Sequence, residues 1–138
     1  MARWLFKEEP DHYNYADLER EGRAVWDGVA NNQALQHLRK VAKKDQVFCY
    51  HTGDVKAIVA VMEVISEPYP DPKEDDPKLV VVNVKAVRRL ARPVTLAEIK
   101  ADPALADWDL VRNSRLSVMP VSAELWKRIE TLSKQSEA

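Results

Sequence analysis

The chain has 138 residues, with 21 Lys and Arg against 22 Asp and Glu, a formal net charge of −1, and 46% hydrophobic and 31% charged residues. That composition is ordinary for one globular domain with a real core and wrong for a disordered chain. The near-neutral charge argues against a binder whose affinity comes from many phosphate contacts, which would be far more basic.

Arg3 to Lys7 reads as a first strand, with Trp4 and Phe6 on one side and Leu5 and Lys7 on the other; Glu8-Glu9-Pro10 ends it. Asn14 is placed to cap a short helix, Tyr15 to Glu21, which Gly22 stops. Val25 to Val29 reads as a turn-bearing loop. From about Asn32 a helix is expected, with Ala34, Leu35, Leu38, Val41 and Ala42 as one buried stripe. Gln46 to His51 and Val55 to Ile65 are two strands joined by the hairpin signal Thr52-Gly53-Asp54. Ser66 to Lys78, with four prolines and five acids, reads as a long loop of the functional or mobile kind. Leu79 to Leu90 is the longest strand pattern. Thr95 and Glu98 form a capping box for a helix over Leu96 to Ala101, after which the chain is irregular to Asp109. Leu116 to Met119 reads as a short strand, and Ser122 caps a final helix with the stripe Leu125, Trp126, Ile129 and Leu132. No repeat or domain boundary interrupts this order, so one domain over residues 1–138 is expected, α+β, with a small mixed sheet or barrel and helices packed on its outside.

The longest apolar run, Ala57 to Met62, is too short for a membrane span, and the opening Met1-Ala-Arg-Trp has no signal-peptide core. Cys49 is alone in the sequence, so it forms no internal disulfide, which fits a reducing, cytoplasmic compartment; within VFCY it reads as a small buried hydrophobe. Catalytic signatures are missing. With glycine only at 22, 28 and 53 there is no phosphate-cradling loop, and His12, His37 and His51 lack metal spacing. No metal, no cofactor and no catalysis are expected. Two basic patches, Arg39-Lys40 through Lys43-Lys44 and Arg88-Arg89 to Arg92, have the character of solvated faces.

What remains looks like binding hardware. Trp26 beside Asp27 and Gly28 offers either a flat stacking face or loop packing, whereas Trp126 in a helix stripe reads as core, and Trp4 and Trp108 as structural. Around Arg112 to Pro120, Arg115 and Ser117 lie opposite Leu116 and Val118. They line either a cavity for a polar planar ligand or the wet side of an edge strand. Lys7, Tyr50 and His51 end strands, a usual place for pocket walls and equally for surface packing.

Six segments in order resemble the EVE domain family: WLFKEEP (Trp4 to Pro10), WDGVANNQAL (Trp26 to Leu35), FCYHTGD (Phe48 to Asp54), EPYPD (Glu67 to Asp71), Pro93-Val94 with Ile99-Lys100, and RLSVMPV (Arg115 to Val121). The resemblance implies a PUA-like fold, a curved mixed sheet approaching a barrel with helices around it, related to YTH domains. It also implies a monomeric module that binds a modified nucleobase, methylated or hydroxymethylated cytosine or methyladenine, in DNA or RNA. By position, Trp26 would be the stacking wall, with Lys7, Asp27, Asn31, Tyr50, His51, Arg115, Leu116 and Ser117 lining or rimming the pocket. Glu8 stands where the family usually has serine, and Ala30 where it usually has arginine. A small-molecule or nucleoside sensor, or an enzyme using the same cavity, is the competing reading.

Overall fold

The computed structural model describes residues 1–135. In chain order its elements are β1 (Arg3–Glu8), α1 (Tyr15–Glu21), β2 (Arg23–Trp26), α2 (Asn32–Leu38), β3 (Gln46–His51), β4 (Ala57–Val64), β5 (Tyr69–Pro70), β6 (Val80–Thr95), α3 (Leu96–Ala101), α4 (Asp109–Arg112), β7 (Val118–Pro120) and α5 (Ala123–Lys134). The strands form one mixed sheet in the order β2-β6-β4-β3-β1-β7, with β5 added to β6. Among the described residues only β1 and β3 run parallel; register shifts in the β4–β6 and β3–β4 pairings bend the strands and curl the sheet into a half-barrel. The α+β expectation holds.

Helix ends follow the local chemistry. Asn14 accepts from the Asp17 N–H and Asp17 reaches back to the Asn14 N–H, while Gly22 at φ 84° supplies the left-handed stop for α1. The Thr95–Glu98 box opens α3 as expected, and Ser122 caps α5. Three expectations need correction. The second helix ends at Leu38, and Val41 is buried from the turn that follows. Val25–Trp26 is strand rather than loop, because β2 pairs antiparallel with β6, Trp26 opposite Val82. The last short strand starts at Val118; Asn113 to Ser117 is a turn held by the Leu116 N–H to Asn113 carbonyl bond, so Arg115 and Ser117 do not alternate on a strand. The long acidic loop also contains β5, and its buried Asp71 accepts the Lys73 N–H at 2.9 Å.

Burial runs along both faces of the central strands. Phe48 stacks on Trp126 of α5, ring centroids 3.6 Å apart and planes 10° apart, while its neighbours Val47 and Cys49 turn to the other face. There Trp4, its Nε1–H donating to Asp45 at 2.9 Å, lies 6.2 Å from His37 of α2. Tyr15 of α1 donates through its hydroxyl to the Val61 carbonyl and accepts from the Val87 N–H, each at 3.1 Å. Helices thus surround the sheet, α1 and α2 against one face and α5 against the other. Among the described residues no helix is long and apolar enough to cross a membrane.

Candidate functional site

The parallel pairing of β1 with β3 puts Lys7 beside Tyr50 and Glu8 beside His51 at the carboxyl ends of both strands. Paired residues share a face and successive residues alternate. Lys7 and Tyr50 therefore lie on the α5 face, and Phe6, Glu8, Cys49 and His51 on the α1 face. This alternation splits the expected site in two.

On the α1 face, Phe6 packs against Trp26, centroids 5.5 Å apart and planes 41° apart. Trp26 is only 4% exposed, so it is a covered wall and not a projecting platform. Open space does lie beside it: a cavity of about 330 Å³ lined by Glu8, His12, Tyr13, Glu21, Ala24, Val25, Trp26, Asp27 and Lys73. That volume is at the lower end of the ~300–1,000 Å³ typical of small-ligand pockets. Behind the indole, His51, Cys49 and Leu18 close a seam too narrow for water.

His51 works from beneath. Its Nε2 accepts the Tyr15 N–H at 3.2 Å, pinning the first turn of α1 to the end of β3 and thereby setting Tyr13 beside Trp26. Burial pulls the His51 imidazole below the usual histidine range, against an opposing pull from the Glu8 backbone carbonyl, so it serves as a neutral acceptor. Burial likewise raises the Glu8 carboxyl, with Asp27 and Glu9 adding to the rise and the Glu9 N–H and His12 opposing it. Tyr13 donates its hydroxyl to Glu21 at 2.8 Å, and burial together with that carboxylate holds the phenol protonated.

On the α5 face, a second cavity of about 160 Å³ is lined by Lys7, Tyr50, Thr52, Gly53, Lys56, Leu96, Leu110 and Ser114. Lys7 Nζ donates to the Ser114 carbonyl at 3.1 Å and stands 5.7 Å from the Tyr50 ring centroid, and burial lowers its pKa.

The remaining expected residues have other surroundings. Asn31 accepts the Ala34 N–H at 3.0 Å as the N-cap of α2. Leu116 is core at 1% exposure, and the Ser117 carbonyl accepts the Lys7 N–H at 2.9 Å. Arg115 is exposed. Of the nine, only Trp26 and Asp27 share the larger cavity, with His51 against the rear of the same indole. The sequence reading had not placed Tyr13, His12, Glu21 or Lys73 at this site. Tyr13 carried one signal, an aromatic just before the Asn14 cap, but that position reads equally as a staple onto Leu18.

The Arg88 to Arg92 patch is neutralised from within the fold: Arg88 pairs with Glu130, Arg89 with Glu19 and Arg92 with Glu98.

The model of the EVE domain matches residues 2–132. Thymocyte nuclear protein 1 of Mus musculus is 32% identical over 165 residues, covering 95% of this chain and 73% of that protein. The solved structure of Rpa0253 from Rhodopseudomonas palustris is 41% identical with a TM-score of 0.91, covering 96% of this chain and 93% of the other. Human THYN1 protein, solved in complex with DNA containing 5-methylcytosine, is 29% identical with a TM-score of 0.90, over 99% of this chain and 100% of that one.

Proposed function

This chain belongs to the EVE domain family, with the PUA-like fold of that family, and from that premise we propose that it is a binding module for DNA carrying 5-methylcytosine. The flipped base enters the cavity between Trp26, Tyr13 and the Glu8–Asp27 wall. One observation carries the reading: a nucleobase-sized cavity against Trp26, in a chain that matches, nearly end to end, a protein solved with 5-methylcytosine DNA.

The energetics constrain the mechanism. Extruding a base costs a few kcal/mol. Stacking returns about 1–3 kcal/mol, and with Trp26 mostly covered the gain is at the lower end unless Tyr13 shares it. Burying the 5-methyl adds about 0.8 kcal/mol. Hydrogen bonds to the base edge, about 0.5–1.5 kcal/mol each, supply the remainder. The protein binds, orients and shields the base; no bond is made or broken.

Phosphate contacts are few in this account. Lys73 stands at the cavity wall and the exposed Arg115 precedes β7 beyond the carboxyl end of β1, while Lys7 is given to Ser114 on the opposite face and the Arg88 to Arg92 patch is committed to internal ion pairs. Two phosphate contacts correspond to about a tenfold loss of affinity between 50 and 200 mM salt. Fluorescence polarisation with an oligonucleotide bearing one 5-methylcytosine, compared with the unmodified oligonucleotide and free 5-methyldeoxycytidine, tests this. The modified oligonucleotide should bind best, with that shallow salt response. Equal binding of the free nucleoside, unaffected by salt, would support a nucleoside sensor instead, a reading favoured by the acidic cavity wall and the net charge of −1.

A further inference from the structure

The wall beside Trp26 is rich in unused acceptors. Glu8 Oε1 takes the Glu9 N–H at 3.0 Å, which leaves Oε2 with no partner among the described residues. Asp27 lines the same cavity, and neither of its carboxylate oxygens accepts a hydrogen bond from the described residues. The two acids are close enough to influence one another electrostatically. Donors on this wall are fewer: Lys73, His12, the Trp26 indole N–H and the Tyr13 hydroxyl, which is already given to Glu21.

We propose that Glu8 and Asp27 together read the exocyclic amino group of the bound base, so the cavity admits a cytosine-type base with both amino hydrogens and rejects its carbonyl counterpart. This deepens the 5-methylcytosine reading and rests on it.

The chemistry is specific. 5-Methylcytosine and thymine have the same ring outline and the same methyl group. They differ along one edge: 5-methylcytosine presents an amino donor at C4 beside an acceptor at N3, and thymine a carbonyl acceptor at C4 beside an N–H donor at N3. Carboxylates accept well from the cytosine amino group, and its two hydrogens can satisfy one acid each. Thymine has a single hydrogen on that edge, at N3, so at most one acid could be satisfied, while its C4 carbonyl would face the other and leave it desolvated and unpaired. Neither stacking nor the methyl contact separates these bases, so the discrimination falls to the two acids.

The test is fluorescence polarisation with single-stranded oligonucleotides carrying one 5-methylcytosine, thymine, N4-methylcytosine or an abasic site at the same position. Wild-type protein, Glu8→Gln and Asp27→Asn are compared, each checked for folding by its melting temperature. A well-made base-edge pair discriminates by about 1–3 kcal/mol, roughly five- to 150-fold. The wild type should therefore prefer 5-methylcytosine to thymine at least fivefold, with N4-methylcytosine, which keeps one amino hydrogen, in between. Glu8→Gln, whose amide can donate to the thymine carbonyl, should shrink that preference to within about threefold, and Asp27→Asn should move it the same way. Equal affinity of the wild type for 5-methylcytosine and thymine, both well above the abasic control, would overturn the amino-reading role and leave the binding site standing. Binding of neither base above the abasic control would overturn both.

Discussion

Replacing Trp26 separates its packing role from its binding role. The ring is 4% exposed, lies against Phe6 at 5.5 Å and ends a strand paired with Val82. Truncating such a buried tryptophan to alanine costs about 3–5 kcal/mol, a large share of the roughly 5–15 kcal/mol that holds a domain folded. For a chain of this size each kcal/mol moves the melting temperature by about 3–5 °C, so Trp26→Ala should melt about 10–20 °C below the wild type. Binding loss in that variant would mix unfolding with a lost contact. Trp26→Phe is the cleaner probe. It keeps an apolar ring on Phe6 and should cost under about 2 kcal/mol, while trimming the surface offered to the cavity. Affinity for the 5-methylcytosine oligonucleotide should then fall three- to tenfold, within the 1–3 kcal/mol range of base stacking. Circular dichroism melting and fluorescence polarisation read the two effects separately. A Trp26→Ala protein melting within two or three degrees of the wild type would refute the packing argument. Unchanged affinity in Trp26→Phe would refute the binding one.

Three further outcomes test the frame that holds the site. Arg92 bonds both Glu98 oxygens, at 2.8 and 2.7 Å, and pulls that carboxyl down to about 2. The stability from this pair is complete above the ordinary value of 4.5 and is lost as pH falls through about 2. Wild type should thus exceed Glu98→Gln by about 1–2 kcal/mol at pH 7 and converge with it near pH 2, as read by urea unfolding. Burial raises the Cys49 thiol to about 12, so Ellman's reagent at pH 8 should leave the native protein unmodified and react only in denaturant. Asp45→Ala should lose about 1–3 kcal/mol by thermal unfolding, because it leaves the buried Trp4 indole N–H without its 2.9 Å acceptor.

The parts of the fold written in short-range chemistry were legible. Asn14, Thr95 and Ser122 each cap within three residues, so α1, α3 and the start of α5 could be read directly. β2 was not, because its four residues become strand only by pairing with β6, some sixty positions on. α4 opens at Trp108 with no side-chain cap, so nothing local announces it. The candidate site shows the same division. Alternation along the first strand already put Lys7 opposite Phe6, and Trp26 packs on Phe6; the first fact is local and the second is not. Joining Lys7, Tyr50 and Trp26 into one pocket required knowing which face β2 covers. Asn31 and Ser117 were expected as ligand contacts from their places in the segments that resemble the family. In the fold the Asn31 side chain caps a helix, and among the described residues Ser117 is engaged through its backbone carbonyl, by the Lys7 N–H.

Which face of the sheet receives the base is the most direct question, and backbone and indole amide chemical shifts answer it. On titration with an oligonucleotide carrying one 5-methylcytosine, the largest shifts should fall on the Trp26 indole N–H and the amides of Glu8, Tyr13 and Asp27. Shifts confined to Tyr50, Thr52, Gly53 and Lys56 would place the base on the opposite face and contradict the account.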